Sequence, residues 1–246
     1  MKFKDKIHYI LKKDIPFDIE EISDSDNENE HYRKSIFNAS KRENLQRNQI
    51  LDGLKDLEPN DWVIISDLDE IPNLENVDFY NIKNKFLFFQ QSMMYYKFNL
   101  KLDNFTWTGS RACKFKHLKS PQWLRNIKTK KYNFYRFDTL FSKTKYTDVK
   151  IINDGGWHFS QLKKIDDIYS KLTNSEDHQE FKDTGKKISD IEDLVNRKVI
   201  LYDHKAKSSD FKFGKEFKLE TIGLEEMPDY IKKNKDQFRE WIDTTY

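Results

Sequence analysis

Asp61-Trp62-Val63-Ile64-Ile65-Ser66-Asp67-Leu68-Asp69-Glu70-Ile71-Pro72 is the stretch whose reading decides the fold. It follows a turn signal, Glu58-Pro59-Asn60, and opens on large apolar residues, the pattern of a strand buried on both faces in a parallel sheet. Three carboxylates come next, and the stretch stops at a proline, which cannot continue a central strand. If the strand runs that far, Asp67 and Asp69 point to one side, about 6–7 Å apart at their Cα atoms, and Glu70 points to the other. Part-buried carboxylates repel and lose hydration, so a shared divalent cation is their natural compensation. Taken alone, a D-x-D is an Asp-rich turn after a core strand; the surrounding chain has to decide.

Downstream, Phe86-Leu87-Phe88-Phe89 is a second apolar strand, and Trp107-Thr108-Gly109-Ser110-Arg111 reads as a turn into another at 112–115. Residues 132–141 are aromatic and strand-like. A short strand at 149–152 leads into Asn153-Asp154-Gly155-Gly156-Trp157-His158-Phe159-Ser160. Its two glycines allow a tight turn and close approach of backbone to a ligand. His158, between two bulky rings, is either a structural histidine or a ligand. Ile165, Ile168, Tyr169 and Leu172 predict an amphipathic helix with Asp166 and Asp167 outward. Residues 175–180 read as a polar loop, 188–200 as a helix, and 226–246 as a C-terminal helix with Pro228 near its start.

Upstream, Ser40-Lys41-Arg42-Glu43 has the form of a capping box and predicts a helix to about residue 57. Its Arg42 and Arg47 either make surface pairs or reach a phosphate. Residues 7–11 read as a short strand, and the acidic stretch 18–30 as a solvated, mobile loop. Strands alternating with helices argue a single α/β domain over 1–246, with a mainly parallel sheet flanked by helices.

Lys plus Arg (44) nearly cancel Asp plus Glu (42), so net charge gives no argument for nucleic acid or a membrane surface. One cysteine, Cys113, excludes an intramolecular disulfide and suits a reducing compartment. No apolar run has the length of a signal-peptide core or of a membrane span, about 18 residues. The expectation is a soluble protein, cytoplasmic or otherwise intracellular.

Four segments occur in a telling order: Arg42-Glu43-Asn44-Leu45-Gln46-Arg47-Asn48, then Ile65-Ser66-Asp67-Leu68-Asp69-Glu70-Ile71-Pro72, then Gly155-Gly156-Trp157-His158-Phe159-Ser160, then His178-Gln179-Glu180. Together they resemble glycosyltransferase family 17, the β-1,4-mannosyl-glycoprotein β-1,4-N-acetylglucosaminyltransferases. The resemblance implies a GT-A-like, Rossmann-type sheet, here lacking the family's first strands. It implies an inverting transfer from a UDP-sugar, with N-acetylglucosamine as first choice, to a glycan hydroxyl. The D-x-D would hold a divalent metal, Mn2+ before Mg2+. Asp69 would be the direct ligand, Asp67 would touch the ribose or a metal-bound water, and His158 would be a second ligand. Arg42, Arg47 and Trp157 would contact the donor. An inverting reaction needs a carboxylate base, for which Glu70, Asp154 and Glu180 are the candidates, Glu70 leading.

Two other classes compete. A phosphatase of the haloacid-dehalogenase type also opens its site with an apolar strand and D-x-D, but Glu70-Ile71-Pro72 does not fit the residues that follow there. A carbohydrate-binding or inactive transferase-like protein would keep the motifs without the turnover.

Overall fold

The apolar run before the aspartates forms strand β1 (Trp62–Ile65), and there the strand ends. The computed structural model describes residues 3–244 except 12, 76, 131, 134, 140, 176, 177, 208 and 209. In it, the Glu70 N–H donates to the Asp67 carbonyl (3.0 Å), closing a turn. The chain then resumes as a three-residue strand, β2 (Glu70–Pro72). One strand through Asp69 is thus replaced by strand, turn and strand. The buried face of β1 carries Val63 and Ile65, so a strand continued in the same alternation would turn Asp67 and Asp69 to that face and bury their charge; the turn leaves both partly exposed.

The remaining strands are β3 (Phe86–Tyr95), β4 (Leu100–Lys114), β5 (Val149–Ile152), β6 (Gly156–Ser160), β7 (Val199–Ile200) and β8 (Phe217–Thr221). The helices are α1 (Glu28–Asn48), α2 (Pro121–Asn126), α3 (Ile165–Asn174), α4 (His178–Asp183), α5 (Ile188–Asn196) and α6 (Asp229–Lys233). Among the described residues no helix is long and apolar enough to cross a membrane. Phe134 and Leu140, in the segment read as strand-like, Glu176 and Asp177, in the predicted loop, and 245–246, at the predicted C-terminal helix's end, lie outside the described residues. The chain divides into two compact units, one of Met1–Ile65, Lys83–Leu87 and Arg111–Lys150, the other of Ser66–Ile82, Phe88–Ser110 and Ile151–Tyr246.

In the first unit, α1 starts well before the Ser40 box. Asn27 is its N-cap: the Asn27 side chain accepts from the Glu30 N–H (2.9 Å), and the Glu30 carboxylate accepts from the Asn27 N–H (3.3 Å). The acidic stretch before it is tied to this helix, Asp18 to Lys41, Glu20 to Arg33 (2.6 Å) and Asp26 to Lys34 (2.7 Å). Buried Asn38 bonds both backbone groups of Glu20. Residues 7–11, expected as a strand, are irregular, and the described part of 132–141 holds only a 3-10 turn at Phe137–Thr139. Their aromatic and aliphatic side chains, including Tyr9, Leu11, Tyr135, Phe137 and Phe141, are largely exposed. β1 runs antiparallel to Arg111–Lys114 of β4. The Arg111 guanidinium, buried, donates to the Leu124 (3.1 Å) and Ile127 (2.7 Å) carbonyls at the end of α2, groups that a helix C-terminus leaves without intrahelical donors. Burial pushes the Cys113 thiol up to about 12, so it stays protonated and inert.

In the second unit the strand order is β2-β6-β3-β4-β8-β7. β2/β6, β4/β8 and β7/β8 are antiparallel, and β3/β6 is parallel. The mainly parallel sheet expected from the sequence is therefore corrected to a mixed, mostly antiparallel one. Four residues, 96–99, join β3 to β4, whereas a parallel neighbour needs a crossover of about a dozen or more. The segment 107–111, expected as a turn, lies inside the continuous 15-residue β4. Gly109 serves there because a Cβ would come within 2.1 Å of the Gln91 Oε1 and 2.6 Å of the Glu70 Oε1.

Alternation along the strands divides the core. Met93 and Tyr95 pack with Ile168 of α3, Phe181 of α4, and Ile191 and Leu194 of α5. Met94 and Phe159 pack with Phe98, Met227 and Ile231. Residues 178–180, expected as the end of a loop, instead open α4, whose Phe181 is drawn into the first of these clusters. The C-terminal segment is not one helix either: α6 is five residues long, and a 3-10 turn follows at Arg239–Trp241. Its backbone bonds go elsewhere, the Trp241 carbonyl to the Phe98 N–H (2.8 Å) and the Asp243 N–H to the Asn99 side chain (2.7 Å).

Gly156 opens β6 with φ +126, and a Cβ there would stand 2.1 Å from the Ile71 carbonyl oxygen. Gly156→Ala combines backbone strain with a clash in the β2/β6 ladder and is expected to lower stability by about 2–4 kcal/mol. Urea unfolding measures this; a change under about 0.5 kcal/mol, the size of an ordinary surface substitution, would show that the approach is not constraining.

Candidate functional site

The β2/β6 ladder sets Glu70 opposite His158 and Ile71 opposite Trp157. One step earlier, the Phe159 N–H donates to the Asp69 carbonyl (2.8 Å). The aspartate turn is thereby hung on the strand that carries His158. From the side, the turn is held by Glu70, only 4% exposed. One of its carboxyl oxygens accepts from the Trp107 indole N–H (2.8 Å), the other from the Asp67 N–H (3.1 Å) and from the Ser110 hydroxyl (3.5 Å). Ser110 is bonded in turn to Ser66 (2.7 Å) and Gln91 (3.2 Å). Leu68, at the tip of the turn, is fully exposed.

Asp69 Oδ2 lies 3.4 Å from His158 Nε2. Burial works against ionising Asp69, but the His158 hydrogen bond and the charges of His158 and Lys171 outweigh it and hold the carboxyl below its usual value. The Trp107 and His158 rings meet in a T-shaped arrangement, 5.1 Å between centroids and 71° between planes. These groups border a cavity of about 360 Å³ in the second unit, lined also by Asp67, Lys171, Gln161, Tyr95, Tyr202 and His204 and floored by apolar residues of α3, α4 and α5. His204 Nε2 lies 2.5 Å from the Tyr95 hydroxyl, and its ring stacks on Phe105 at 4.8 Å. Burial, helped by the charge of His158, holds the His204 pKa down to about 4, so the ring is neutral near pH 7. Burial also pushes the Tyr95 hydroxyl well above its ordinary range.

Of the nine residues singled out in the sequence, Asp67, Asp69 and His158 meet at this cavity. Glu70 stands behind the turn and does not line it. Asp154 and Trp157 line another cavity, about 290 Å³, with Asn73, Glu226 and Met227; the Trp157 indole donates to the Glu226 carbonyl (2.7 Å). The reason is alternation: Trp157 and Phe159 belong to one core cluster, while His158 and Ser160 line the cavity on the opposite face of β6. Glu180 accepts from the Lys212 N–H (2.8 Å) and pairs with the Lys212 ammonium (3.7 Å). Arg42 and Arg47 belong to the first unit. Arg47 bonds Gln122 and Glu43, and Arg42 borders a separate cavity with Tyr9 and Asp14.

Lys171, Gln161 and His204 were not singled out by motif. Lys171 is legible in the helical period, three residues after Ile168 and hence on the same face of α3. Gln161 and His204 carry no sequence signal beyond their neighbourhood.

Two carboxylates and an imidazole are a donor set that divalent cations accept. Two ligands bonded to one ion at about 2.1 Å lie about 3 Å apart, close to the 3.4 Å between Asp69 and His158. Among the described residues no three His, Cys, Asp or Glu groups gather tightly enough to hold an ion, so an ion here would draw further ligands from water or a bound anion. No protein-family model matches the chain, and neither does a curated protein or a solved structure.

Two expectations follow from the electrostatics. The unfolded chain protonates His204 near the ordinary 6.5 and the folded one only near 4. Stability from this group is therefore whole above pH 6.5 and is lost as pH falls from 6.5 toward 4, by up to about 3 kcal/mol. Urea unfolding at pH 7 and pH 4.5 is expected to show a smaller loss for His204→Gln than for the wild type; equal losses would refute it. Glu70→Ala leaves the Trp107 and Asp67 donors unanswered and is expected to cost about 2–4 kcal/mol, with Glu70→Gln milder. If the alanine variant unfolds at the wild-type urea concentration, Glu70 does not hold the turn.

Proposed function

We propose that this chain is a metal-dependent, inverting glycosyltransferase that moves a sugar from a UDP-sugar to a glycan hydroxyl, with N-acetylglucosamine the first candidate. The observation that carries the reading is the meeting of Asp67, Asp69 and His158 on one cavity. They come from two of the four segments that resemble glycosyltransferase family 17, 89 residues apart from Asp69 to His158. In this reading Asp69 and His158 hold the cation, Mn2+ before Mg2+, and Asp67 contacts the ribose or a cation-bound water. The cation supplies Lewis-acid stabilisation of the diphosphate leaving group.

The residues themselves do the rest. Lys171, on the same cavity, offers a second positive charge to the diphosphate, a task expected above of Arg42 or Arg47. The aromatic rings of Trp107, Tyr95 and Tyr202, which line the cavity, suit a sugar or base ring. In this reading Glu70, with its carboxyl engaged by Trp107 and Asp67, positions the turn. The GT-A-like character of the fold is part of the same proposal; it rests on the motif order and on an aspartate turn set between strand and strand.

Calorimetry of UDP binding tests the reading. UDP is expected to bind with Mn2+ present and to lose at least about tenfold in affinity, about 1.4 kcal/mol, without metal or in Asp69→Ala. Metal-dependent UDP release from UDP-N-acetylglucosamine is expected alongside. UDP affinity indifferent to both metal and Asp69 would overturn the site, and binding without any UDP release would favour a carbohydrate-binding protein instead.

A further inference from the structure

Two residues that line the main cavity each carry a buried polar atom with no hydrogen-bond partner among the described residues, the side-chain oxygen of Gln161 and Nδ1 of His158. Buried polar groups are nearly always paired, so unpaired ones in a cavity wall mark where a ligand or water belongs. Gln161 is further set apart by its backbone, with φ +55, a region that residues other than glycine seldom enter and that tends to occur at functional positions. Its neighbours are fixed: the Ser160 carbonyl accepts from the Tyr96 N–H (3.2 Å), and the Gln161 carbonyl accepts from the Lys163 N–H (2.8 Å). The unusual backbone thus delivers this side chain to the cavity.

An amide oxygen accepts hydrogen bonds and cannot donate them, so what Gln161 requires is an O–H or N–H group. Beside it on the same cavity stand Trp107 and Tyr202, whose ring faces pack against apolar C–H surface. A pyranose offers both, hydroxyl or amide donors on its edge and C–H groups on its faces. We infer that Gln161 is the specificity-determining residue for the sugar: its side-chain oxygen accepts from a hydroxyl or acetamido N–H of a pyranose held in this cavity. The inference rests on the transferase reading for the sugar's attachment to UDP, but its test does not need the nucleotide.

The test compares wild type, Gln161→Met and Gln161→Glu as the full chain. Ligand-observed NMR measures the affinities of free N-acetylglucosamine and free glucose, and calorimetry measures UDP with Mn2+. Methionine keeps the length of the side chain without a strong acceptor, and glutamate restores an oxygen. Gln161→Met is expected to lose about tenfold or more in sugar affinity and to narrow the difference between the two sugars. Gln161→Glu is expected to stay within roughly threefold of the wild type, and UDP affinity to be unchanged throughout. Equal sugar affinity in wild type and Gln161→Met, or no sugar binding to the wild type, overturns the inference. Gln161-dependent sugar binding without metal-dependent UDP binding would sink the transferase reading and leave the role of Gln161 standing. If circular dichroism shows Gln161→Met unfolded, Gln161→Asn takes its place: asparagine tolerates positive φ, its shorter amide withdraws the oxygen, and undiminished sugar binding would again overturn the inference.

Discussion

A carboxyl group sealed from water must be answered by donors or it destabilises the fold that holds it. Glu70 is answered by an indole, a backbone amide and a hydroxyl, donors drawn from two separate pieces of the second unit. Trp107 and Ser110 come from β4, and the amide comes from the aspartate turn itself. A single side chain therefore ties the short edge strand β2 to the long strand β4. Gly109 completes the arrangement by carrying no side chain where the Glu70 and Gln91 side chains approach. The partly exposed aspartates are held in position by this concealed one, an arrangement in which support and display are assigned to different residues of one motif.

Strand β6 repeats that separation across its two faces. His158 and Ser160 turn toward the cavity beneath α3, α4 and α5, while Trp157 and Phe159 pack toward the C-terminal segment. The same alternation in β3 sends Met93 and Tyr95 one way and Met94 the other. His204 extends the cavity's character: an imidazole kept neutral by burial, bonded to a tyrosine hydroxyl and stacked on Phe105. The cavity thus joins an ionic rim to an aromatic wall.

What could be read from the chain follows from these geometries. The D-x-D and the Gly-Gly-Trp-His-Phe-Ser segments stand out because several unusual residues lie together, and Asp67, Asp69 and His158 from them line one cavity. Trp157 is next to His158 in sequence, but a strand sends neighbours to opposite sides, and Asp154 sits in the turn before β6. The capping-box pattern at Ser40 falls inside α1, whose start is set by Asn27 with Glu30, and the acidic residues before it find lysines and arginines on the helix. Gly109 resembled a turn residue and is a packing residue instead. Parallel pairing was inferred from apolar runs buried on both faces, a burial that antiparallel strands also reach when helices cover one face and a packed tail the other. Lys171, Gln161 and His204 stand singly in the sequence, and only the folding of distant segments brings them to Asp69.

The glycine at the head of β6 has a consequence for how this protein can go wrong. A strand slipped by one residue turns every side chain to the opposite face. Here such a slip would bury an indole where the imidazole belongs, with little change in the apolar surface hidden from water. The resulting molecule would pass for native by secondary structure and compactness while lacking the imidazole on its cavity. Gly156 stands so close to the Ile71 carbonyl that a residue with a side chain cannot take its place, and the residue a one-step slip would bring there is either Gly155 or Trp157. Trp157 is excluded by its bulk, so proofreading of the register is complete in one direction and, because Gly155 is also a glycine, left in the other to the core contacts of Phe159.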